Sequence, residues 1–94
     1  MTTTDNKNTD IRLLGFVGTN DEGDTTIEFF SDLDFALIMP ALEDIDAIRF
    51  ILHRPKRNII KVYCTRPFNI VRNKIDEIFE IIFKTKPKYF ESIE

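Results

Sequence analysis

Apolar and polar residues change rhythm several times along these 94 residues, and each rhythm predicts a different element. Residues 1–10 (MTTTDNKNTD) have no apolar periodicity and predict a disordered N-terminal tail, leaving 11–94 as a single domain. Ile11–Gly18 is a short apolar run, and Thr25–Phe30 is a second, rich in β-branched and aromatic residues. Between them Thr19-Asn20-Asp21-Glu22-Gly23-Asp24 has turn chemistry, with Gly23 free to take positive φ, so the two runs predict a β-hairpin. Ser31-Asp32-Leu33-Asp34 interrupts the pattern, and Phe35–Met39 reads as a third strand. Ile59–Cys64 is a further strand. Phe68–Lys84 carries Val71, Ile75, Ile78 and Ile82 at helical spacing, widened by Phe68, Phe79 and Phe83, with polar residues on the other sides. Ile78 is expected to be buried at the centre of that stripe. Pro87 ends the helical pattern, and Tyr89 and Phe90 either fold back onto the sheet or belong to a flexible tail.

The segment 41–53 supports two readings. Ala41, Ile45, Ile48 and Leu52 form one helical stripe, with Pro40 at the first helical position, Glu43 and Asp44 in the first turn, His53 and Arg54 in the last, and Pro55 as a stop. Against the helix, Phe50 points away from the stripe. As a strand, Ile48, Phe50 and Leu52 alternate with Arg49, Ile51 and His53, and the segment pairs with Asn58–Thr65 across Lys56-Arg57-Asn58. The helix is preferred. The expected class is therefore α+β: a small, mostly antiparallel sheet against a C-terminal amphipathic helix, with a second short helix at about 41–53. The alternative makes that segment a strand, giving a five-stranded sheet plus one helix.

Composition limits the function classes. Nine Phe and fourteen Ile can build a core in a chain of this length. The excess of Ile over Leu, with frequent Lys and Asn, suits a phage, viral or low-GC bacterial origin. A single cysteine, Cys64, and a single histidine, His53, exclude a disulfide framework and most zinc geometries, and suit a reducing, cytoplasmic setting. The polar N-terminus does not read as a signal peptide, and no apolar run approaches the ~18 residues of a membrane span.

Three motifs invite chemistry. Ser31-Asp32-Leu33-Asp34 followed by Phe35-Ala36-Leu37-Ile38 resembles the metal-binding strand of minimal nucleotidyltransferases. That resemblance implies a strand, helix, strand and helix in order, with Asp32 and Asp34 holding magnesium. It also implies a third acid on the next strand, and Asn58–Thr65 contains none. The acidic turn Asp21-Glu22-Gly23-Asp24 lacks the spacing of a calcium loop. His53 and Cys64 are the only His–Cys pair available for nucleophilic catalysis, and neither strand nor helix alternation brings them together. No catalytic residue, cofactor or small-molecule substrate is expected.

The charge pattern is more informative. The first 48 residues hold eleven acids against Lys7 and Arg12, whereas Arg49–Lys74 holds eight basic residues and no acid, within a net charge of −3. Arg49, Arg54, Lys56, Arg57, Lys61, Arg66, Arg72 and Lys74, with Tyr63 as aromatic anchor, form the expected partner-binding surface. The expected function is that of a small non-catalytic interaction or regulatory protein. Its partner is expected to be an acidic protein or, through self-association, a second copy in a homodimer. A single-stranded nucleic acid is the alternative partner, and a degenerate nucleotidyltransferase-like protein the second alternative.

Overall fold

The computed structural model describes residues 12–54, 56 and 59–91. The expected disordered tail at 1–10 lies outside the described residues. The chain forms β1 (Leu13–Thr19), β2 (Thr25–Ser31), a 3₁₀ turn (Phe35–Leu37), α1 (Met39–Glu43), β3 (Ile48–Arg54), β4 (Ile59–Cys64), α2 (Phe68–Phe83) and β5 (Lys88–Glu91). The strands make one sheet in the order β3-β4-β2-β1-β5. Every neighbouring pair is antiparallel except β1 and β5. The α+β class, the mostly antiparallel sheet and the C-terminal helix agree with the sequence pattern.

The β1–β2 hairpin forms as its turn chemistry dictates. The Asn20 side-chain carbonyl accepts the N–H groups of Glu22 (3.0 Å) and Asp24 (2.9 Å), and Gly23 takes φ +88°. Register then runs from Thr19 opposite Thr25 to Leu13 opposite Ser31. This alternation sends Leu13, Gly15, Ile27 and Phe29 to one face, where they are buried. Ile60, Val62 and Cys64 of β4 join them.

That face is covered by α2, which buries Val71, Ile75 and Phe79. Ile78 is only partly buried, so the centre of the stripe lies one residue further round the helix than its isoleucine spacing indicated. Phe79 is what turns it: its ring sits 5.0 Å from Phe29 and 6.5 Å from Phe35.

Two segments depart from the expected elements. Phe35–Met39 is not a strand. Asp34 caps a 3₁₀ turn by accepting the Ala36 N–H at 3.1 Å, and the turn buries Phe35 and Ile38. The segment 41–53 is not one helix. Helical geometry ends at Glu43, Leu42 and Ile45 plug the core, and the chain extends from Ile48 as β3. The strand prevails because β4 has a free edge. Pairing Ile48 through Arg54 with Cys64 through Ile59 satisfies that edge, and it lets Phe50 stack on Tyr63 at 4.2 Å. A register shift between Ile48 and Phe50 leaves Arg49 as the extra, bulged residue.

After α2 the chain turns at Lys84, in the left-handed conformation (φ 62°), and returns as β5 along the free edge of β1. Tyr89 thus folds back onto the sheet. Its hydroxyl donates to Asp76 of α2 at 2.8 Å, and its ring lies 4.8 Å from Phe68. Among the described residues no helix is long and apolar enough to cross a membrane.

Candidate functional site: the open face of the sheet

α2 packs on one face of the sheet only, and strand alternation determines what the other face presents. β1 contributes Leu14 and Phe16, β2 contributes Glu28 and Phe30, and β5 contributes Lys88 and Phe90. β4 contributes Lys61 and Tyr63, and β3 contributes Phe50, Leu52 and Arg54. Phe50 (47% exposed), Leu52 (41%) and Phe90 (47%) stand open to solvent.

The rings on this face form two clusters. Phe16 packs edge-on against Phe30 at 5.5 Å and stacks with Phe90 at 5.7 Å. Phe50 and Tyr63 lie nearly parallel, and the Lys61 ammonium sits 5.5 Å from the Tyr63 ring centre. A cation held over a half-buried ring at the surface gains about 0.5–1 kcal/mol.

Two depressions of about 440 Å³ each open at opposite ends of this face. The first is floored by Leu14, Phe16 and Phe30 and rimmed by Arg12, Lys56, Ser31 and Asp32. The second is floored by Phe50 and Tyr63 and rimmed by Asn20, Asp21, Glu22, Asp24 and Arg49. The face is thus mainly basic at one end and mainly acidic at the other.

The expected basic surface is divided by the fold. Arg54, Lys56, Lys61 and Tyr63 belong to the open face or its rim. Arg49 reaches the acidic hairpin turn, 3.5 Å from Asp24 and 3.8 Å from Glu22, and is neutralised within the chain. Arg72 pairs with Asp76 at 3.5 Å and lies over the Tyr89 ring at 5.3 Å, so it braces α2 against β5. Arg66 and Lys74 border a separate depression near the start of α2, beside Asp46. Arg57 lies outside the described residues. Hence Arg54, Lys56, Lys61 and Tyr63 share the open face with Arg49, which is paired there with the hairpin acids, while Arg66, Arg72 and Lys74 lie elsewhere.

The catalytic motifs do not converge. Asp34 caps the 3₁₀ turn and Asp32 sits beside Arg12 and Lys56 at the first depression, and the next elements are the 3₁₀ turn and α1, not a strand. The strand implied by the nucleotidyltransferase resemblance is absent at Phe35–Leu37. No three His, Cys, Asp or Glu side chains gather as a metal site among the described residues. His53 lies opposite Ile60 and Cys64 opposite Ile48, four residues apart along the ladder, or about 13 Å. Burial pushes the Cys64 thiol up to about 11, helped by the Asp24 charge, so it stays protonated and unreactive near neutrality.

Phe16, Phe30, Phe50, Leu52 and Phe90 were not among the residues singled out from the charge pattern. For Phe16 and Phe30 the signal was present as adjacent apolar pairs, Phe16-Val17 in β1 and Phe29-Phe30 in β2. A strand of an antiparallel sheet that is apolar at successive positions must present apolar side chains on both faces. No protein-family model, curated protein or solved structure matches this chain.

Proposed function

We propose that the chain is a non-catalytic interaction protein whose docking surface is the open face of the sheet. The observation that carries this reading is the cluster of Phe16, Phe30, Phe50, Leu52, Tyr63 and Phe90 on the side that α2 leaves uncovered. Phe50, Leu52 and Phe90 are exposed and Phe16, Phe30 and Tyr63 half-buried; so much accessible aromatic surface on one face of a small protein is costly in water, and it marks interaction sites. The rings supply the apolar centre of an interface, while Arg54, Lys56 and Lys61 supply the polar rim, the arrangement in which a few aromatic anchors dominate affinity.

The experiment places a photo-cross-linking amino acid at Leu52 or, separately, at Ile81 on the outer side of α2, in the full chain expressed in cells. Protein adducts are expected from position 52, lost when Phe50→Glu is added, and not from position 81. Adducts from both positions alike, or from neither, would overturn the open face as the docking surface.

A second reading has one observation in its favour. Lys61 beside Tyr63 could contact phosphate while the ring stacks on a base. Glu28 stands directly opposite Lys61, and Asp21, Glu22 and Asp24 close one end of the face. These acids repel a polyanion laid across the strands, so a protein partner fits better.

A further inference from the structure

The two ends of the open face carry opposite charge, and this selects an occupant. Among the described residues, the start of β1 and the end of β3 bring Arg12, Arg54 and Lys56 to one end, where the first depression adds Asp32. The hairpin turn brings Asp21, Glu22 and Asp24 to the other, against Arg49 alone. Between them lie the aromatic clusters, apolar and nearly uncharged, where Glu28 and Lys61 face each other across the β2–β4 ladder. A surface of this kind is complementary to itself after reversal.

We propose that the partner on this face is a second copy of the chain, packed sheet against sheet with its strands running in the reverse sense. This inference rests on the open face being a docking surface. A two-fold axis lying between the sheets and perpendicular to the strands sets each basic end on an acidic end, twice per dimer. The other in-plane axis, parallel to the strands, sets basic on basic and acidic on acidic, which like-charge repulsion disfavours. Aligned packing of two twisted sheets then interleaves the rings about 10 Å apart, as in a β-sandwich.

Size predicts strength. Five strands about 4.8 Å apart and up to seven residues long cover roughly 20 by 23 Å, or about 450 Å² in projection. Side-chain relief raises the accessible area above this projection, yet the face stays no larger than the ~800 Å² per partner of a standard interface. The dimer should therefore be reversible and concentration-dependent, with a dissociation constant on the order of micromolar.

Analytical ultracentrifugation of the full chain from about 1 μM to about 1 mM reads this directly. Monomer–dimer exchange is expected, weakened about tenfold or more in ~1 M salt, where charges are screened beyond about 3 Å. Arg54→Glu with Lys56→Glu makes both ends acidic, and Asp21→Lys with Glu22→Lys makes both ends basic. All four positions lie on the surface, and each double variant should be monomeric where the unaltered chain dimerises. Mixed in equal amounts, the two variants should associate again as a heterodimer, because each then meets ends of opposite sign.

An unaltered chain that stays monomeric at every concentration would overturn the proposal. So would double variants that dimerise unaided, or that fail to associate when mixed. A monomeric chain whose Leu52-placed cross-linker still captures a different protein would refute the second copy and leave the docking face standing. Loss of both would remove the face as well.

Discussion

Gly15 shows how tightly the two layers are fitted at single residues. A methyl group added there would come within 2.9 Å of the Tyr89 ring and 3.0 Å of the Phe29 ring. Neither ring can move aside easily. Phe29 is fully buried against Phe79, and Tyr89 is held by Asp76 and Phe68. Gly15→Ala should therefore destabilise by about 1–3 kcal/mol, despite the usual gain from replacing a strand glycine. Urea unfolding monitored by circular dichroism gives the value, and an unchanged midpoint would mean that the rings are not seated as described. Cys64 makes a second prediction at this scale. Its thiol is raised by burial from 9.0 to about 11. The folded state thus keeps a proton that the unfolded chain releases. The contribution is fully present below pH ~9 and is lost as pH rises towards ~11, by about 2–3 kcal/mol at most. Cys64→Ala should flatten that part of the stability–pH curve. Tyr89 is shifted in the same direction, by burial first and by its bond to Asp76 second, so a residual alkaline loss should persist in the variant.

At the scale of elements, α2 adds Val71, Ile75 and the large ring of Phe79 to the core. Phe79 touches Phe29, Phe35 and Phe83, whereas Ile78 sits at the margin. Phe79→Ala should cost about 3–5 kcal/mol and Ile78→Ala distinctly less. Chemical denaturation of both variants ranks them, and the reverse order would place the helix face where the isoleucine spacing alone puts it. The end of α2 offers a gain. Lys84 holds a left-handed conformation that costs an L-residue about 1–2 kcal/mol, partly offset in glycine by its larger unfolded-state entropy. Lys84→Gly should raise stability by about 0.5–1 kcal/mol, seen as a higher thermal midpoint. A lower midpoint would show that the Lys84 side chain contributes contacts of its own.

Across the whole molecule the distribution of charge decides between partners. If single-stranded RNA lay across the open face, contacts from Arg54, Lys56 and Lys61 would give a log–log salt slope near −0.7 per phosphate, or about −2. Tyr63→Ala would cost a further ~1–3 kcal/mol through lost stacking. Neither effect is expected at physiological salt, because the acidic hairpin turn shares the face. Fluorescence anisotropy with a labelled oligonucleotide measures both. Salt-steep micromolar binding abolished by Lys61→Glu would make the face a nucleic-acid platform. The fold brings the charges to this point by a route that linear order hides. β4 and β5 both run parallel to β1, so α2 connects parallel strands separated by β2 and β1, and basic residues close in sequence are dealt to both sides of the sheet.

The hairpin, β4 and the amphipathic helix were legible in the sequence because their signals are local: a glycine in an Asn-led turn, alternation over six residues, apolar spacing over sixteen. The α+β class followed from them. The fate of 41–53 was not local. Its helical stripe and its strand alternation are both real, and only the unpaired edge of β4 and the ring of Tyr63 decide between them. Phe35 and Ile38 likewise read as a strand until the core offers them a place at its end. β5 depends on the free edge of β1 and on Asp76 receiving the Tyr89 hydroxyl. The binding surface divides in the same way. Sequence alone showed that the charges are segregated along the chain. Pairing and crossover determined that Arg49 and Arg72 would be neutralised, that Lys61 and Tyr63 would stay open, and that aromatic residues from five strands would share one uncovered face, since strand order in space is set by edges and layers that no stretch of sequence contains by itself.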